Sequence, residues 1–177
     1  MAPAEKATGK AEPFFDALAC NDAFGVRQIA AASPDRLNPD LEYEEDLLYM
    51  RALMDLDAGV GDNLPNYLAR WKSLSEGRLD LRLDIVRALS ERNEEAFNFG
   101  LGTLMGELRD EYEKGARKDV YLQEDLQTVL RLSVEGLALA RLAERAGMIP
   151  DREFPLMPAV ARIGEGVVSL PDDAWIP

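Results

Sequence analysis

Carboxylates are the only side chains in this sequence gathered in a pattern that could do chemistry. Glu107, Asp110, Glu111 and Glu113 recur at three- and four-residue spacings, and Asp40, Glu42, Glu44, Glu45 and Asp46 crowd one short stretch. Acids so spaced could ligate metal from a helix face. A di-iron bundle, however, draws further ligands from Glu-x-x-His motifs, and the chain has no histidine. Paired carboxylates can act as general acid and base when burial separates their pKa values. The helical pattern instead predicts both clusters on solvent faces, as surface rather than as reagents.

Other routes to catalysis are equally bare. Without histidine the chain lacks the usual zinc ligand and the commonest general base. Cys20 is the only cysteine, so no intramolecular disulfide exists. Its setting after Phe14-Phe15-Asp16-Ala17-Leu18-Ala19 predicts an inert thiol in a helix interior. Neither Gly100-Leu101-Gly102 nor Gly164-Glu165-Gly166 follows a strand or carries the lysine and hydroxyl of a phosphate loop. No cofactor and no metal is expected.

The elements that must position these acids are helices. Apolar residues recur at helical spacing and alternating β-branched runs are nearly missing, which predicts an all-α fold. With 177 residues, 47% of them hydrophobic, the chain can bury an ordinary core. The reading is a frayed N-terminal segment over residues 1–12, then one helical domain over 13–177. That domain is a bundle or short solenoid of about seven to eight helices in antiparallel pairs.

Helices are predicted from Pro13 to Cys20 and from Asp22 to Ala32, where Ser33-Pro34 closes the pair. Asn38-Pro39-Asp40 then caps a helix reaching Leu56, with Tyr43, Leu47, Met50 and Met54 on its buried face. A turn at Gly59 to Asn63 leads to Leu64–Ser75, whose apolar members include Tyr67 and Trp71. Arg78 to Ser90 follows, packing through Leu79, Leu83, Val86 and Leu89. Asn93 is an N-cap for Glu94 to Lys114, where Phe97, Leu101, Leu104, Leu108 and Tyr112 form the apolar stripe. Gln123 to Ala146 is apolar around most of its circumference, as a central helix should be, and Gly147 is its C-cap. A short helical stretch near Met157 to Ile163 and an irregular end complete the chain.

Two smaller features stand out. Ala17-Leu18 before Asn21-Asp22 is echoed by Ala88-Leu89 before Asn93, suggesting stacked helix pairs, although two copies fall short of an independent solenoid. Gly102 and Gly106 each cost about 1 kcal/mol against alanine in a helix. They predict close packing of a neighbouring helix or, alternatively, a shallow groove for a partner's backbone.

The formal charge of −13 repels nucleic acid and anionic membrane and favours a cationic partner. The first dozen residues contain no apolar run of a signal peptide, and no apolar stretch approaches the roughly 20 residues needed to span a bilayer. A cytoplasmic protein is expected. Trp175 lies in a polar terminal segment, where it either folds back or stands out as an anchor for a partner.

Four segments together resemble the immunity protein 49 family of bacterial polymorphic toxin systems. They are Phe14 to Ala19 with Asn21-Asp22; Glu42-Tyr43-Glu44-Glu45-Asp46-Leu47; Asn93-Glu94-Glu95-Ala96-Phe97-Asn98; and Leu137 through Gly147. The resemblance implies a cytoplasmic protein that neutralises a cognate secreted toxin and protects the producer and its kin. It assigns no toxin-binding residue by motif. Acidic faces would suit a basic nuclease or another nucleic-acid-directed toxin. The candidate partner-binding residues are therefore Asp40, Glu42, Glu44, Glu45, Asp46, Glu107, Asp110, Glu111, Glu113 and Trp175. The alternative is a helical-repeat adaptor for an endogenous protein or peptide, which gene neighbourhood would distinguish.

Overall fold

Helices form where an apolar stripe meets a residue able to cap it. The computed structural model describes residues 7–10, 12–118, 120–127 and 129–162, and no strand is found among them. Eight α-helices follow in order: α1 Glu12–Ala19, α2 Ala23–Ala32, α3 Glu44–Ala58, α4 Leu64–Leu74, α5 Leu81–Glu91, α6 Glu94–Ala116, α7 Gln123–Gln127 and α8 Val134–Arg145. The all-α expectation holds. Side-chain oxygens of Asp22, Asp80, Asn93 and Ser133 accept from backbone N–H groups in the first turns of α2, α5, α6 and α8. Each such cap is worth about 1 kcal/mol.

The echo noted in the sequence is a shared corner. Asn21 and Arg92 both adopt left-handed geometry, with φ of 57° and 52°. Asn21 N–H donates to the Leu18 carbonyl and Asp22 N–H to that of Ala17. Arg92 and Asn93 do the same to Leu89 and Ala88. Each corner thus closes one helix with a Schellman pair and caps the next helix one residue later. The packing partners differ, since α1 lies chiefly against α8 while α5 lies against α6. The echo is a turn device and not a repeated unit.

α3 and α8 carry the core. Leu47 through Met50 and Ala52 through Met54 are buried, as are Gly136 through Ala140, Leu142 and Ala143. A row of aromatic rings joins three helices: Phe15 to Tyr49 at 6.1 Å between centroids, and Tyr49 to Trp71 at 5.6 Å. Gly100 lets α6 close on α5, because a Cβ there would lie 2.9 Å from Ile85 Cγ1. That close approach was expected at Gly102 and Gly106. A Cβ at Gly102 would only touch Phe154 at 3.8 Å, and one at Gly106 would meet nothing within 4 Å.

Several boundaries differ from expectation. The single helix foreseen from Gln123 to Ala146 is divided into α7, a 3-10 turn at Val129–Arg131 and α8. The break has a local cause. Ser133 caps α8 through its side chain, and its N–H donates to the Leu156 carbonyl at 2.8 Å instead of continuing a helical ladder. The segment expected to fray, residues 1–12, is structured in part. Thr8–Lys10 forms a 3-10 turn packed on α3, where Thr8 donates to the Pro34 carbonyl at 2.7 Å and Gly9 N–H donates to Glu42. Gly9 is required by proximity, since a Cβ there would sit 2.6 Å from Asp46 Cβ. Cys20, foreseen in a helix interior, is exposed because α1 ends at Ala19 and the left-handed Asn21 turns the chain away.

Candidate partner-binding surface

A polar cluster at the edge of the core locks together the helices that frame the surface. The Tyr49 hydroxyl on α3 donates to Glu135 Oε1 on α8 at 2.7 Å. Arg82 of α5 grips both oxygens of the same carboxylate, with Nε at 2.8 Å and Nη2 at 2.9 Å. Its guanidinium also lies 5.2 Å from the centre of the Tyr49 ring. Burial, with the Glu135 carboxylate alongside, pushes the Tyr49 phenol well above its ordinary pKa. Burial opposes the charge on Arg82, but the hydrogen bonds and charge of Glu135 outweigh it, so Arg82 stays cationic. Next to this cluster, Trp71 Nε1 on α4 donates to Asp80 Oδ2 at 2.8 Å, while Asp80 Oδ1 accepts from Leu83 N–H at the start of α5.

These constraints bring the start of α3 against the α4–α5 loop and leave a notch between them of about 340 Å³. Tyr43, Glu45, Asp46, Arg78, Leu79 and Asp80 line it. Tyr43 and Leu79 are each 78% exposed. Both were expected in the core and both lie outside it for the same reason. α3 begins at Glu44, which leaves Tyr43 at the extended N-cap position, and α5 begins at Leu81, which leaves Leu79 in the loop before Asp80. Moving a helix start by a residue or two takes a side chain off the buried stripe.

The first acidic cluster is divided by the structure. Asp40 is exposed on the loop. Glu42 turns inward, is buried, and accepts from the backbone N–H groups of Gly9 and Asn38. This corrects its expected place on an outward face: preceding α3, it acts as a latch for the N-terminal turn. Glu44 is held bidentately by Arg70 at 2.7 Å on both oxygens, and this interaction lowers its pKa. Glu45 and Asp46 remain half-exposed at the notch, with no hydrogen bond or ion pair from their side chains among the described residues.

The second cluster stays outward. Glu107, Asp110, Glu111 and Glu113 are exposed along the C-terminal half of α6. They alternate, however, with Arg109, Lys114, Arg117 and Lys118, and Arg109 pairs with Asp110 and Glu113 while Arg117 pairs with Glu113. Four acids against four bases leave little net field. These bases are visible in the sequence itself, interleaved with the acids. Trp175, the remaining candidate, lies outside the described residues.

Asp46 is poorly solvated where it stands. Burial raises its pKa first, Glu45, Glu42 and Glu135 add to the shift, and Arg82 opposes it. A carboxyl whose folded pKa exceeds its unfolded value favours folding only when protonated, and the penalty is complete at neutral pH. Asp46→Asn is therefore expected to stabilise the fold at pH 7 by less than about 1 kcal/mol, because the site is partly hydrated, and so to raise the melting temperature. The gain should vanish as pH falls below the carboxylate range. A neutral or lower melting temperature at pH 7 would refute the assignment.

Among the described residues no group of three or more acidic or cysteine side chains is placed to hold a metal ion, and no helix is long and apolar enough to cross a membrane. Fold and surface together define an all-α bundle in which the Arg82–Glu135 pair ties α5 to α8 and a notch opens outward between α3 and the α4–α5 loop. The family model described as Immunity protein 49 matches residues 5–161, and the chain belongs to that family. No curated protein and no solved structure matches it significantly.

Proposed function

We propose that this protein confers immunity by binding a cognate toxin directly in the cytoplasm and covering the toxin's active site or substrate groove. Membership of the family supports immunity and a toxin partner in general. The mode of binding rests on one observation: two large apolar side chains stand exposed beside carboxylates that make no pairing of their own. Other large apolar side chains, such as Phe99 and Ile149, are exposed to a similar degree, but Tyr43 and Leu79 share one notch with Glu45 and Asp46, and an aromatic beside charge is the usual anatomy of an interface hot spot. The protein's net charge steers a basic toxin, such as a nuclease, toward this face. Asp40 on the preceding loop and Glu45 and Asp46 on α3 would supply most of that attraction, since Arg70 already neutralises Glu44. Glu107, Asp110, Glu111 and Glu113 would add less because bases interrupt them.

The test is co-expression with a toxin encoded beside this protein's gene, once the gene neighbourhood has been read for one. A stable complex on co-purification, together with survival of cells that express both, is the expected result. Survival without any complex would discard direct occlusion.

A further inference from the structure

We infer that the notch between α3 and the α4–α5 loop is a receptor for an arginine side chain presented by the partner next to an apolar residue. The inference rests on the direct-binding reading above and specifies its chemistry.

Charge selects a cation. Glu45, Asp46 and Asp80 line the notch with Arg78 as its one lining base, and Arg78 directs its Nε to the Ser75 carbonyl at 3.2 Å. Arg82 and Arg70 also act on Asp46 and Glu45, but their guanidinium forks are taken by Glu135 and Glu44. Asp80 is committed to Trp71 and to the α5 N-terminus, which leaves Glu45 and Asp46 as the acceptors still available to a ligand. Shape and chemistry select arginine over lysine. A guanidinium presents a planar fork that meets carboxylates in pairs and stacks on an aromatic face, whereas an ammonium is a compact point charge. Tyr43 supplies the exposed ring and Leu79 the apolar contact for a neighbouring residue. The protein already builds this arrangement internally: Arg82 forks onto Glu135 over the Tyr49 ring, and Arg70 forks onto Glu44. The notch offers the same ring and carboxylates with the guanidinium left to be supplied from outside. The acids at the start of α3 also complement the helix dipole. That role explains their type, but not their gathering with Tyr43 and Leu79 around one notch.

Backbone amide resonances of the full chain, followed by NMR during titration with acetyl-Leu-Arg-Leu-amide, test this without a toxin in hand. Saturable shifts at Tyr43, Glu45, Asp46 and Leu79 are expected, with half-saturation at about 10 mM or below, as befits one side chain. The corresponding lysine peptide should bind several-fold more weakly and the citrulline peptide not detectably. Glu45→Gln/Asp46→Asn should abolish the shifts, while Glu107→Gln/Asp110→Asn should retain them. Equal binding of the lysine peptide, no saturable shift, or shifts surviving in Glu45→Gln/Asp46→Asn would each overturn the inference. A toxin that co-purifies although the arginine peptide leaves the notch unmoved removes the arginine assignment and leaves direct binding standing. Notch shifts without any toxin complex do the reverse.

Discussion

Trp71→Ala is expected to cost the fold about 4 kcal/mol, the largest loss foreseen for any single substitution here. Trp71 is 1% exposed, packs its ring on Tyr49 and donates from its indole to Asp80. Alanine would remove the ring from the core, leave a cavity among α3, α4 and α5, and strand one oxygen of the carboxylate that caps α5. For a chain of this length about 4 kcal/mol corresponds to a fall in melting temperature of roughly 8–16 °C. Urea unfolding with an unchanged slope should give the same free energy. Trp71→Phe keeps much of the packing and should cost clearly less than alanine, about 1 kcal/mol for the lost hydrogen bond plus a smaller cavity contribution. A loss below about 1 kcal/mol for Trp71→Ala would mean that α4 is not anchored as described.

The second large effect is expected at Glu135. Its carboxylate, 19% exposed, serves the Tyr49 hydroxyl and both Arg82 donors at once. Removing one member of such a set leaves the others buried without partners, a penalty that often reaches 3–5 kcal/mol. The Arg82 side chain is 43% exposed, so water recovers part of its solvation. Glu135→Ala should accordingly destabilise by about 2–3 kcal/mol. Glu135→Gln should fall between it and the parent, since an amide oxygen still accepts from Tyr49 but no longer matches the guanidinium charge. Arg82→Ala combined with Glu135→Ala should cost clearly less than the sum of the two single variants. Strict additivity by chemical denaturation would show that the two residues do not act as a pair.

What was legible in the sequence followed from local rules. The all-α class came from apolar spacing, Asn93 was read as the N-cap of α6, and Gly147, at φ 82°, closes α8 as its position suggested. Local rules failed where tertiary contacts decide. Nothing near Ser133 announces that its N–H will be claimed by Leu156, which is why α7 and α8 read as one helix. Glu135 finds Arg82 and Tyr49 across 53 and 86 residues, a separation that periodicity cannot bridge. The notch was hidden by helix starts. Tyr43 and Leu79 fit the apolar stripes only if α3 and α5 begin earlier than they do, and the Asp80 cap was the available signal for the second of these. Glu42 was counted with its acidic neighbours, although its place before the helix sends it inward.

The direct trial of the notch as the docking surface is the association rate of the toxin with variants confirmed as folded by their melting curves. Glu45→Lys/Asp46→Lys should slow association about tenfold at low ionic strength, with the gap narrowing as salt is added. Glu107→Lys/Asp110→Lys should change it far less. An unaltered rate for Glu45→Lys/Asp46→Lys, or a greater loss from the α6 pair, would contradict docking at the start of α3.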